Sequence, residues 1–349
     1  MLNAARAACD GFGRAPGVLA GGDIVGLDIL KERGVPLARQ RFGWRELVRA
    51  PIGELGGDAS TRLRIILMRG IEREARCFSH AFARMCTDAT IRRELAEVRR
   101  QEQHQEVLIG WLLAADPSPL ATTVAHARMS VELTARVALA EPDPRVAEVL
   151  RSALREHVDH LRRFTALRDR LPDEAPGAAI DAREGRAPID DLPEPYDRRR
   201  ASPMTKIHAL TVLAAEQQTQ EHCLSLGPTL ADPAARRLYA EIAHVGDPRV
   251  TRIESLIDPR ESFLEKWLLH EATEVHGYWV CVQTEDDPRF EPLWARLLEQ
   301  ELGHLHHVID VMERIEGRDP RALLPAELPD PIRCHDRREL VRLALEERE

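Results

Sequence analysis

Residues Leu298–Asp310 read LEQELGHLHHVID. An apolar stripe at helical spacing runs through Leu297, Leu298, Leu305, Val308 and Met312, and Glu301 and His304 fall in the middle of it. A spacing of i and i+3 sends both side chains to one helix face. An ionised carboxylate on a buried face is costly unless it is paired or bound to a cation. The stretch therefore predicts a helix whose core side carries a polar pair with a task.

The neighbouring segments repeat the pattern. Residues 204–226 carry Leu210, Leu213, Glu216 and Cys223 on one stripe, and 232–257 carry Leu238, Glu241, Ile242 and Val245, with His244 three after the Glu. Residues 261–283 place Glu271 and Glu274 among Trp267, Leu268 and Tyr278, and 288–316 contain the opening stretch. No comparable supply of Lys or Arg shares those faces, so the converging carboxylates call for a cation.

Upstream, the helical period marks 60–85, 89–114, 119–140 and 144–170, separated by short Asp- and Pro-containing breaks. Strand signals are absent. A stretch with Pro172, Pro176, Pro188, Pro193, Pro195 and Pro203 divides the two sets of four helices and reads as a linker. An offset of 144 residues then relates the sets. It maps Glu72 to Glu216, Arg92-Arg93 to Arg236-Arg237 and Glu97 to Glu241. It also maps His126 to His270, Asp143-Pro144-Arg145 to Asp287-Pro288-Arg289, and His160-Leu161 to His304-Leu305.

The predicted organisation is all-α. An N-terminal arm (1–59) with short helical candidates at 24–33 and 43–49 precedes a four-helix bundle at 60–171. A Pro-rich linker (172–203), a second bundle at 204–317 and a tail (318–349) with a short helix near 336–348 follow.

Composition narrows the function. A net charge of −9 disfavours nucleic acid, whose phosphates need a basic surface. No apolar run approaches the ~18 residues that span a bilayer. Six cysteines without a C-x-x-C pair suggest reduced thiols, hence a cytoplasmic chain.

Two Glu from two helices plus Glu-x-x-His from two others is the ligand set of carboxylate-bridged dinuclear bundles. On LAAEQQTQ (213–220), YAEIAHV (239–245), HEATEVHG (270–277) and EQELGHLHH (299–307), the chain resembles the ferritin-like superfamily of rubrerythrin and bacterioferritin. The resemblance covers roughly 60–170 and 204–316. It implies two tandem ferritin-like bundles and a non-haem oxidoreductase that activates O2 or peroxide on a small substrate. The cofactor would be two iron ions, with a manganese/iron pair or a single metal as alternatives, and a homodimer is compatible with it. The expected metal ligands are Glu216, Glu241, His244, Glu271, Glu274, Glu301 and His304. A metal store without turnover, or a degenerate scaffold, stays open beside the enzyme.

The two repeats depart from this pattern differently. Glu301 and His304 lie 30 and 33 residues after Glu271, but the same steps from Glu216 land on Gly246 and Arg249, in HVGDPRV. Either Glu241 and His244 substitute there, about a turn and a half earlier, or this site has lost a ligand pair. In the first repeat Glu72 leads by the same steps to Glu102 and Gln105, with His104 adjacent. A second, looser cluster follows: Glu72, Glu102, His104, Glu132, Glu156, Asp159 and His160.

Overall fold

Helices start where capping residues put them. Asp88 accepts from the amides of Thr90 and Ile91, and Asp232 accepts from Ala235 N. Ser118 caps through Ala121 N, and Ser262 forms a full capping box with Glu265. Asp88 and Asp232, like Ser118 and Ser262, are 144 positions apart. The repeat read from sequence is thus a repeat of helix starts.

The structure is a computed structural model describing residues 26–47, 59–113, 118–170, 192–334 and 336–346. Its α-helices are α1 (Trp44–Leu47), α2 (Ala59–Met85), α3 (Ala89–Leu112), α4 (Pro119–Ala140), α5 (Pro144–Arg170), α6 (Pro203–Leu226), α7 (Pro233–Glu254), α8 (Phe263–Thr284), α9 (Glu291–Glu316) and α10 (Arg337–Leu345). Among the described residues the single β element is an isolated bridge, Leu27 to Leu328. No described helix is long and apolar enough to cross a membrane.

The grouping of helices differs from the expected order of one bundle at 60–171 and another at 204–317. The described residues of Met1–Ala115 and Arg260–Arg333 form one compact unit, and those of Asp116–Pro259 and Cys334–Glu349 form the other. The first unit therefore assembles α2 and α3 of the first repeat with α8 and α9 of the second. The second unit assembles α4 and α5 with α6, α7 and α10. Each unit takes one helix pair from each repeat. The physical reason is that related helices present equivalent apolar faces, so periodicity fixes which face is buried and leaves the partner open.

In the first unit the core is built from Ile65, Ile66, Leu95, Val98, Trp267, Leu268, Trp294, Leu297, Leu305 and Val308, all buried. In the second unit two apolar clusters form. One holds Val124, Phe164, Cys223, Leu238 and Tyr239, the other Val137, Leu150, Val212, Leu213 and Ile253. Along α5, α6 and α7 a polar residue separates the two clusters: His157, Glu216 and Arg249.

Smaller expectations are also corrected. The helix expected over 24–33 is, from Gly26 on, the bridge and a turn in which Asp28 O accepts from Lys31 N and Glu32 N. Residues 24–25 lie outside the described residues, as do 48–49 of the second short candidate. Of the linker, 172–191 lies outside the described residues. Residues 192–202 are not helical, and Tyr196 is buried there with its amide donating to Leu256 O at 2.9 Å.

Candidate metal centre

Four helices of the first unit each bring a carboxylate to one place. Glu72 comes from α2, Glu102 from α3, Glu271 and Glu274 from α8, and Glu301 from α9, and each is 0 % exposed. Gln105, one turn after Glu102, and His304, three residues after Glu301, are equally buried. The i, i+3 spacing puts each of these pairs on the inward face of its helix.

The contacts are specific. The Trp267 indole N–H donates to Glu271 Oε1 at 2.7 Å, and the Tyr278 hydroxyl donates to Glu72 Oε1. The Gln105 amide donates to Glu301 Oε1 at 2.6 Å. His304 Nδ1 lies 3.1 Å from Glu301 Oε2 and 3.9 Å from Glu271 Oε2, while Nε2 lies 2.7 Å from Gln40 Oε1. Many oxygens have no such partner: Glu72 Oε2, both of Glu102, Gln105 Oε1, Glu271 Oε2 and both of Glu274. Among the described residues, no Lys or Arg pairs with these five carboxylates.

Their electrostatics follow. Burial first, and the neighbouring carboxylates next, push Glu72, Glu271 and Glu274 well above the ordinary range. Burial likewise raises Glu102, to about 7. For His304 burial acts downward, but the charge of Glu301, its hydrogen bond to the ring and the charge of Glu102 together outweigh it, and the net shift is upward. Without a cation this core must hold protons that carboxylates at neutral pH normally release.

Two sets of three ligand atoms lie within 4.8 Å of one another: Glu271, Glu301 and His304, and Glu102, Glu271 and Glu274. Glu271 belongs to both. The first set offers nitrogen and oxygen, the second oxygen alone. Such clusters could hold metal ions.

The second unit carries the counterpart positions, 144 residues away. Glu216 stands for Glu72, Gly246 for Glu102, Arg249 for Gln105, Ala127 for Glu271, Ser130 for Glu274, His157 for Glu301 and His160 for His304. Five acids become one, and a guanidinium arrives. Arg249 Nε lies 2.9 Å from Glu216 Oε2, and its Nη1 lies 2.8 Å from Glu156 Oε2. His157 Nε2 lies 2.7 Å from Glu216 Oε1. Burial acts to raise Glu216, yet Arg249 and His157 hold it far below the ordinary carboxylate range. Burial, followed by the charge of Arg249, drives His160 down to about 2.

The expected ligands thus divide. Glu271, Glu274, Glu301 and His304 meet one another as expected, but their partners are Glu72 and Glu102 from the weaker set. Glu216 is in the other unit, satisfied by Arg249. Glu241 is half-buried and paired with Arg163, and His244 is exposed, because their register falls off the inward face. Glu132 pairs with Arg136 one turn on, and Asp159 is exposed beside Arg162. Glu156 serves Arg249. His104 binds Arg100 O through Nδ1 at 2.8 Å and stacks on Phe42. Gln40, which holds His304, lies outside every helical period and carries no sequence signal.

The chain matches no family model, no curated protein and no solved structure. What the fold and site define is an all-helical chain with a buried Glu/His cluster of metal-ligand type.

Proposed function

We propose that the first unit is a ferritin-like dinuclear metal bundle and that the protein is a non-haem oxidoreductase using iron, or manganese with iron. The observation that carries this reading is the pair of ligand triads sharing Glu271, set among buried oxygens without partners. The helical distribution supports it. One acid on α2 and two on α8, with Glu-x-x-Gln and Glu-x-x-His on α3 and α9, follow the dinuclear carboxylate pattern with one His replaced by an amide and one acid added.

Glu301 and His304 would hold one ion and Glu102 and Glu274 the other, with Glu271 between them and the open oxygen of Glu72 beside them. Hard oxygen donors with a single imidazole suit iron and manganese better than softer-ligand metals. When bound, such a centre supplies redox chemistry towards dioxygen or peroxide. The chain's own residues do the rest. Trp267 and Tyr278 hold Glu271 and Glu72 in orientation by donating to one oxygen of each. Gln105 does the same for Glu301. The surrounding Trp and Leu side chains exclude water, which raises the worth of every charge inside.

Elemental analysis of protein expressed in iron-replete medium tests the reading. About two iron or manganese ions per chain are expected. Absence of both metals sinks it. Oxygen uptake by the reduced, iron-loaded protein then separates an enzyme from a store, since a turning-over enzyme consumes oxygen beyond the stoichiometric oxidation of its metal.

A further inference from the structure

A segment ahead of the helices reaches the centre. Val35 N donates to Glu299 O of α9 at 2.7 Å, and His306 Nε2 lies 3.0 Å from Glu32 O. The approach is close at two glycines. Gly34 has φ +58°, and a Cβ there would come 2.1 Å from Glu299 O; a Cβ on Gly303 would come 1.9 Å from Val35 O. Only glycine tolerates both positions. The segment ends in Gln40, whose side chain is buried against His304.

The orientation of the Gln40 amide is fixed by its surroundings. Its NH2 group faces two carbonyls, Val35 O and Gln300 O, each at 2.9 Å. Carbonyls only accept, so the nitrogen must sit there and Oε1 must face His304. Oε1 in turn only accepts, so His304 Nε2 carries the proton. The neutral ring then presents the lone pair of Nδ1 to Glu301 Oε2 and Glu271 Oε2. A lone pair facing two carboxylate oxygens needs a proton or a cation between them.

We infer that Gln40 is a positioning residue of the metal centre: it fixes the His304 tautomer so that Nδ1 is the metal-binding nitrogen. This inference rests on the metal reading and adds to it a part of the chain remote in sequence from every ligand. A hydrogen bond to the outer nitrogen of a ligating His sets ring orientation and ligand basicity, and losing it costs about 10–100-fold in metal affinity or activity.

The test uses the full chain, with Zn2+ alone as a diamagnetic probe. In 15N-histidine-labelled protein, with the His304 signals assigned by their absence in His304→Gln, the zinc-loaded form is expected to show a proton on Nε2 and a metal-shifted Nδ1. Gln40→Leu is expected to bind Zn2+ about 10–100-fold more weakly. Gln40→Glu, which keeps an acceptor towards Nε2 but loses both amide donors, is expected to recover most of the affinity. A proton on Nδ1 with metal on Nε2 overturns the inference, as does wild-type affinity in Gln40→Leu. Equal loss in both Gln40 variants also overturns it, by showing that docking of the segment is all that matters. Failure of the wild-type chain to bind Zn2+, Fe2+ or Mn2+ sinks the metal reading itself.

Discussion

The two units pose the same problem and answer it in opposite ways. Each has four long helices with polar residues brought into the middle of an apolar core. In the first, Glu72, Glu102, Glu271, Glu274 and Glu301 converge, among the described residues, without a basic partner other than His304. In the second, Arg249 lies between Glu216 and Glu156, and the acids at the remaining counterpart positions have given way to Gly246, Ala127, Ser130 and His157. A covalently attached cation has taken the place that a dissolved one would take. The lesson is that a buried carboxylate is a candidate metal ligand only where no basic side chain already neutralises it. Glu216 and Glu72 are indistinguishable by helix position and opposite in electrostatic setting.

The contrast can be broken most severely at Glu271, the residue common to both ligand triads. Glu271→Ala is expected to remove all tightly bound metal, whereas Glu274→Ala should remove only part; elemental analysis of both variants measures this. Glu301→Ala or His304→Ala should likewise abolish tight binding of the ion those two residues would hold, and unchanged stoichiometry in either would count against the site. In the second unit the expected loss is of stability alone. Arg249→Leu strands a buried Glu216 and should cost about 3–5 kcal/mol, read by denaturant titration, with metal content unchanged. A change in metal content there would dissolve the distinction between the units.

A pH series sharpens the comparison further. Glu102 titrates near 7 in the folded state against an ordinary 4.5, so the folded metal-free chain binds the extra proton between those values. Its stabilising effect is complete below pH ~4.5 and is lost as pH rises through about 7, by roughly 3 kcal/mol for that shift. Glu216 has the opposite sign: its depressed value contributes stability above the ordinary carboxylate range and loses it on acidification. Thermal melts in chelator from pH 5 to pH 8 should therefore show falling stability, and bound metal should flatten or reverse the trend. The smallest effect concerns the shared frame. Asp88→Ala and Asp232→Ala remove equivalent caps and should each cost about 1 kcal/mol. Unequal losses would show that the units differ beyond their centres.

Much of this was legible in the sequence. Periodicity and capping residues locate the eight long helices, and the 144-residue offset is a real correspondence of helix starts. The polar pairs on α8 and α9 were visible because they interrupt strong apolar stripes. Which helices surround them was not, since α2 and α6 offer nearly the same inward face and only tertiary packing selects between them. Glu241 and His244 show the related failure: a correct residue type on a helix, in a register that points it outward. Gln40 shows a third, because a loop residue whose importance lies in the direction of its amide has no period to betray it.

The exchange of helix pairs also has a consequence for timing. The second unit is nearly contiguous, so its four long helices are complete once residue 254 has been made. The first unit waits: Glu72 and Glu102 emerge early, and the acids they face follow some 170 to 230 residues later. At roughly 5–20 residues per second that is an interval on the order of ten seconds or more. Over that interval α2 and α3 have only each other to pack against and no complete ligand set, and the self-neutralised second unit can fold without waiting for an ion. On the metal reading, a complete ligand set exists only after α9 has left the ribosome.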